Sequence, residues 1–272
     1  MSYRVIALDL DGTLLDPQKR ILPESLAVLN EARQAGVKVL LVTGRHHVAI
    51  RPFYQALQLD TPAICCNGAY SYDFLTKRVL ASNPLSPQEA IQVLSYLQGT
   101  DIDHLIYVDD AILYDEVHDT IARTMAWSDS LPENLRPTLQ QVNNFQEAVH
   151  NVKSIWKFAT SSPDLTKLRE ISEQIEANID LECEWSWADQ VDIAKKGNSK
   201  GMRLQQWVES QGMTMKEVIA FGDNFNDTSM LDAAGLGVAM GNAVDDVKAY
   251  ANLVTKNNTQ PGIAEMIRKY VL

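Results

Sequence analysis

Asp9 and Asp11 stand two residues apart where an apolar run, RVIALDL, gives way to Gly12 and Thr13. Far along the chain, Asp223 and Asp227 stand four apart in GDNFND, again directly after an apolar run, VIAF. Between them come Thr43-Gly44-Arg45, behind VKVLLV, and Lys200 in GNSKG. Carboxylates brought together repel one another. A hard divalent cation resolves that conflict, and an incomplete carboxylate set that leaves room for water and a substrate oxygen suits Mg2+. A hydroxyl (Thr43), an ammonium (Lys200) and turn N–H groups near Leu10 and Gly44 are groups that hold phosphoryl oxygens. The chemistry these residues point to is phosphoryl transfer through a covalent aspartyl phosphate.

Roles follow from position. Asp9, at the rigid end of its strand, is the expected nucleophile. Asp11 is the expected general acid for the leaving alkoxide and then the base for the hydrolytic water. The expected metal ligands are Asp9, Asp11 (through its backbone carbonyl) and Asp223. Asp227 is expected to orient a metal-bound water, and Asn226 to hydrogen-bond a phosphate oxygen. Each signal taken singly has a plainer reading. D-x-D-G-T could be an Asp-capped turn, Thr43 a helix cap, and Lys200 a solvated helix residue. Their order, at successive strand ends, is what argues for a site.

Such a site needs elements that bring distant strand ends together. Residues 4–10, 37–42 and 63–66 read as buried strands, with a helix from Pro23 to Ala35 and another from the Thr43-Gly44 turn to about Leu57. The far end repeats the style, with strands at 218–221, 236–240 and 252–254, helices between them, and a last helix from about 261. Fully apolar strands alternating with helices imply a parallel sheet covered on both faces, whose ligands bind beyond the carboxyl ends of the strands. The middle is mixed and proline-punctuated. It has helices at 86–98 and 164–177, strands near 104–108, 111–114, 153–160 and 180–185, and a long polar stretch at 128–145. The expected fold is α/β: a doubly wound, Rossmann-like core over 1–83 and 190–272, with an α+β domain inserted at 84–189 and crossings near 82–86 and 187–192.

Composition narrows the function further. The 272 residues include 46 % hydrophobic and 22 % charged residues, an ordinary globular balance. The net charge of −11 disfavours a nucleic-acid partner. Three cysteines without C-x-x-C spacing suggest neither zinc nor disulfides, and they fit a reducing compartment. Asp9 and Asp11 interrupt the first apolar run, so it does not read as a signal peptide, and no stretch of 18 residues is free of charge. A cytoplasmic protein with no membrane or obligate protein partner is expected.

The four segments DLDGTLLD (9–16), VTGR (42–45), GNSKG (197–201) and GDNFND (222–227) resemble the signatures of the haloacid dehalogenase superfamily of phosphatases. The resemblance implies the same roles for Asp9, Asp11, Thr43, Lys200, Asp223 and Asp227, with Mg2+ as cofactor. The insert resembles the large α/β cap of the Cof-type subgroup. Segments 43–57, 61–70 and 181–201 are similar to those of enterobacterial members of that subgroup that act on pyridoxal 5′-phosphate, which implies that ester as substrate, with other small phosphates such as sugar phosphates beside it. In the inserted domain, Trp185 and Trp187 would share one face of a strand and could stack a pyridine ring, or simply pack the sheet. His46 is a candidate substrate contact or a capping residue. Two other functions compete: a phosphotransferase, in which a sugar hydroxyl replaces water, and a non-catalytic phosphate sensor, against which the general base Asp11 argues.

Overall fold

The computed structural model describes residues 3–272. Along the chain the elements are β1 (Val5–Leu8), α1 (Pro23–Gln34), β2 (Lys38–Leu41), α2 (Arg51–Ala56), β3 (Ala63–Cys65), β4 (Tyr70–Asp73) and β5 (Arg78–Ser82). There follow α3 (Pro87–Leu97), β6 (Asp103–Val108), β7 (Ala111–Tyr114), α4 (Asp119–Asp129), β8 (Leu139–Gln141), α5 (Phe145–His150), β9 (Ile155–Ser161), α6 (Leu165–Asn178), β10 (Leu181–Trp187) and β11 (Gln190–Lys195). The last stretch holds α7 (Lys200–Ser210), β12 (Val218–Gly222), α8 (Thr228–Ala233), β13 (Leu236–Ala239), α9 (Asp245–Lys248), β14 (Leu253–Val254) and α10 (Gly262–Tyr270).

Two compact units result. The first takes the chain up to Gly44, Phe53–Ala81 and Ser199–Leu272. Its parallel sheet runs β14-β13-β12-β1-β2, so the strand carrying Asp9 lies between two partners. All four residues of β1 are fully buried. Val5 and Ala7 pack with Leu204 and Val208 of α7, while Ile6 and Leu8 point to the opposite face, so both faces are covered. Burying a Val, Leu or Ile side chain stabilises by about 1.5–3 kcal/mol, which is why an all-apolar strand takes the centre. The three-stranded sheet β3-β4-β5, antiparallel between β3 and β4, adjoins this sheet through a parallel bridge between Val42 and Ile64.

The second unit takes Arg45–Pro52 and Ser82–Asn198. Its sheet runs β10-β11-β9-β6-β7-β8, antiparallel except between β7 and β8. Helices α3, α5 and α6 cover one face through Ala90, Val93, Phe145, Val149, Leu168 and Ile175. The start of α3 is fixed by a capping box between Ser86 and Glu89 with Pro87 behind it.

Three details depart from the sequence reading. The second unit extends to Asn198 rather than 189, because β11 hydrogen-bonds between β9 and β10. Arg45–Pro52 groups with the second unit although elements of the first unit flank it. The two tryptophans do not share a face. A register shift between Trp185 and Trp187 switches the strand's parity, so Trp185 packs on the helix-covered core while Trp187 is 54 % exposed. The polar stretch at 128–145 holds the end of α4, β8 and the start of α5. Among the described residues, no helix is long and apolar enough to cross a membrane.

Candidate active site

The carboxyl ends of β1 and β12 lie side by side, with the Asp9 N–H bonded to the Phe221 carbonyl at 3.1 Å. Adjacent parallel strands thus deliver Asp9 and Asp223 to one edge. Past β1 the chain must turn sharply. Gly12 has φ +85, and a Cβ there would fall 2.2 Å from Asp223 Oδ2. Only glycine satisfies both the left-handed backbone and that approach. The Thr13 hydroxyl then donates to Asp223 Oδ1 at 2.6 Å, and Asn242 Nδ2 donates to the Gly12 carbonyl at 2.9 Å.

Lys200 arrives from the far side, at the first residue of α7. Ser199 caps that helix, accepting the Met202 N–H at 3.0 Å. The turn at 66–69 packs on the same helix start. Gly68, at φ +90, approaches the Ser199 carbonyl so closely that a Cβ would lie 2.2 Å from it, and Arg203 Nε donates to the Gly68 carbonyl at 2.9 Å. These contacts hold the Lys200 ammonium in a fully buried position, 2.6 Å from Asp9 Oδ1 and 2.6 Å from Asp227 Oδ1. The other oxygen of Asp227 accepts the N–H groups of Asp223 and Asn224 at 2.9 and 3.0 Å. Asp227 therefore ties the lysine to the loop that carries Asp223.

One oxygen from each of Asp9, Asp223 and Asp227 lies within 4.8 Å of the others. Three carboxylates face one ammonium, a surplus of two negative charges. Burial raises the Asp9 carboxyl well above its ordinary value; Lys200 pulls it back, and Asp227 and Asp223 push it up again. Asp223 is pushed up to about 7, first by burial and then by Asp227. Burial opposes the charge on Lys200, but Asp227 and Asp9 outweigh it and hold the ammonium above the usual lysine range. All-oxygen donors with a surplus of two negative charges fit a hard divalent cation.

Asp11 sits beside this cluster, its carboxylate in an ion pair with Lys19. Thr43 is buried; its N–H bonds the Ile64 carbonyl at 2.9 Å, and its carbonyl accepts the Asn67 N–H at 3.1 Å. Asn226 Nδ2 donates to Asn67 Oδ1 at 3.1 Å, bringing the loop after β12 to the turn beside Gly44. Leu10 is buried, its carbonyl accepting the Leu15 N–H at 2.9 Å. The structure thus groups Asp9, Leu10, Asp11, Thr43, Gly44, Lys200, Asp223, Asn226 and Asp227 within the first unit. It places His46, Trp185 and Trp187 in the second. Sequence reasoning passed over Lys19, Asn67 and Asn242. Asn67-Gly68 was legible as a turn, but the reach of its side chain depends on the left-handed φ of 55 at Asn67. Nothing local marks Lys19 or Asn242.

A profile of haloacid dehalogenase-like hydrolases matches residues 6–267. The chain is 54 % identical over 272 residues to the pyridoxal phosphate phosphatase YbhA of Escherichia coli, covering 100 % of both chains. It is 31 % identical to the 5-amino-6-(5-phospho-D-ribitylamino)uracil phosphatase YcsE of Bacillus subtilis, covering 100 % of this chain and 97 % of that one. A haloacid dehalogenase-like hydrolase from Bacteroides thetaiotaomicron superposes with a TM-score of 0.85 at 26 % identity, covering 98 % of this chain and 99 % of the other. Fold, matched span and full-length relatives agree: the chain belongs to the haloacid dehalogenase-like hydrolase family.

Proposed function

We propose that the protein is a Mg2+-dependent phosphomonoesterase that works through an aspartyl phosphate on Asp9, with pyridoxal 5′-phosphate as its substrate. The observation that carries the reading is the buried lysine bridging two carboxylates in a cluster that keeps a surplus of two negative charges. Asp9, Asp223 and the Asp11 carbonyl would hold the ion, and Asp227 would orient its surroundings. The bound ion would neutralise phosphoryl oxygens and make the phosphorus electrophilic.

The chain's own groups do the rest. Lys200 draws negative charge from Asp9 and from a phosphoryl oxygen, while Thr43, Asn226 and the N–H groups of Leu10 and Gly44 hold the remaining oxygens. A carboxylate of Asp9 attacks phosphorus in line, and the bond to the alcohol oxygen breaks. Asp11, which must first leave Lys19 and take a proton from solvent, gives that proton to the departing oxygen and regains one from the water that attacks the phospho-aspartate. Inorganic phosphate leaves and Asp9 is regenerated. The groups assigned to the chemistry at phosphorus all lie in the first unit. The low cysteine count fits work in a reducing cytoplasm.

The full-length identity to the Escherichia coli enzyme supports the pyridoxal ester, and the B. subtilis relative shows that other esters occur in the family. The test is a panel of phosphate esters scored by kcat/KM with Mg2+, alongside Asp9→Asn. Pyridoxal 5′-phosphate should lead the panel, and Asp9→Asn should lose about 10⁴-fold or more in kcat. Equal rates across the panel would sink the substrate assignment, and an active Asp9→Asn would sink the mechanism.

A further inference from the structure

Three successive residues of the first unit, Cys66, Asn67 and Gly68, lie in the left-handed region, at φ 50, 55 and 90. Glycine adopts that conformation freely and asparagine tolerates it, but such a run is unfavourable and persists only where surrounding contacts hold it. The turn is buried throughout.

Its contacts reach three separate pieces of the candidate site, all within the first unit. The Asn67 N–H donates to the Thr43 carbonyl at 3.1 Å. A Cβ on Gly44 would lie 2.8 Å from Asn67 Oδ1, so the amide oxygen abuts the Thr43-Gly44 turn. The same oxygen accepts Asn226 Nδ2 at 3.1 Å. Gly68 backs onto the Ser199 carbonyl, one residue before Lys200, and Arg203 Nε holds the Gly68 carbonyl at 2.9 Å.

The bond to Asn226 selects between two states. The Asn226 amide nitrogen carries two protons and its oxygen carries none. With Asn67 Oδ1 as the acceptor, the nitrogen stays on the Gly44 side, 3.6 Å from where a Cβ of that residue would stand. Rotating the amide by half a turn would set its oxygen there instead. An N–H binds a phosphoryl oxygen, whereas a carbonyl oxygen repels it.

We propose that Asn67 is a positioning residue: its amide oxygen fixes the Asn226 amide with the nitrogen toward the Thr43-Gly44 turn, ready for a phosphoryl oxygen. The proposal rests on the phosphatase reading above. Asn67→Gly separates the amide from the turn, since glycine keeps the left-handed backbone without a side chain. If Asn67 served the turn alone, glycine would replace it with nothing lost.

The assay uses the full chain with p-nitrophenyl phosphate and saturating Mg2+, with thermal unfolding followed in parallel. Asn67→Gly should stay folded at the assay temperature, yet lose about tenfold or more in kcat/KM, and Asn226→Ala should lose a similar factor. The double variant should lie within about threefold of the slower single one, because the two amides act together; independent effects would multiply to about a hundredfold or more. A folded Asn67→Gly or Asn226→Ala with parental kcat/KM would overturn the proposal. So would a double variant at the product of the two single losses, or the failure of Asn67→Gly to fold, which would make the amide scaffolding only. The phosphatase reading fails separately, if the parent does not turn over the ester or if Asp9→Asn does; the proposal then falls with it.

Discussion

Among the described residues, two lysines are buried against aspartate, and their surroundings differ in sign. In the sheet of the second unit, Lys157 meets Asp192 at 2.6 Å, one charge of each kind, with Gln190 donating to Asp192 at 3.2 Å and the Tyr107 ring 4.7 Å from the ammonium. At the strand ends of the first unit, Lys200 faces three carboxylates. In the first arrangement the pair balances its own charge. The second keeps an excess that folding alone would not select, because crowded carboxylates destabilise the native state. Such an excess of oxygen donors fits a hard divalent cation, as the function proposed above requires. Buried charge by itself does not identify a site; the imbalance does.

That contrast can be broken by removing one acid from each place. Asp223→Asn should lower kcat about 10³-fold or more, because the ion loses a ligand; a variant with parental turnover in Mg2+ would erase the distinction. Asp192→Asn should cost about 3–5 kcal/mol in denaturant unfolding, since it strands the Lys157 ammonium. Replacing both partners, as in Lys157→Met with Asp192→Leu, should recover most of that loss.

The third outcome has the opposite sign. In ion-free buffer above pH 7, Asp223→Asn should stabilise the protein by about 2–4 kcal/mol. The reason is that Asp223 titrates near 7 when folded and near 3.8 when unfolded. The native state therefore binds the extra proton inside that window and loses stability as pH rises through it. The advantage of the variant should vanish near pH 4, and an ion-free parent that gains stability over this range would contradict the charge excess. The smallest effect concerns the second unit. His47 is held down to about 3 by burial and then by Arg51, and must stay neutral. Its contribution is present above its ordinary pKa and fades as pH falls, by about 2 kcal/mol at pH 5. Hydrogen exchange between pH 7 and 5 should show β6 and β7 losing protection before β1 and β12 do.

The same contrast explains what could be read from the chain. Asp9, Asp11 and Asp223 stand out because each ends a run that should stay apolar, and parallel strands send such residues to one edge. The Lys157–Asp192 pair gave no signal, since β9 and β11 bring it together across a sheet whose pairing the sequence does not state. The sequence places the return to the core near 187–192, and only the ladder to β9 and β10 assigns Gln190–Lys195 to the second unit. The Trp185–Trp187 face was misjudged because one bulge reverses every side chain beyond it. His46 offered two readings, and the cap is the one its Nδ1 performs.

The strand order has a consequence for how the molecule comes into being. β1 is flanked by β2 and by β12, which begins at Val218. On the ribosome, one rim of β1 waits open while roughly two hundred further residues emerge, the whole inserted unit among them. Asp9 cannot meet Asp223 or Asp227 until that delayed neighbour emerges. A messenger truncated before β12 therefore yields a chain that keeps Asp9, Asp11 and Lys200 but lacks both Asp223 and Asp227.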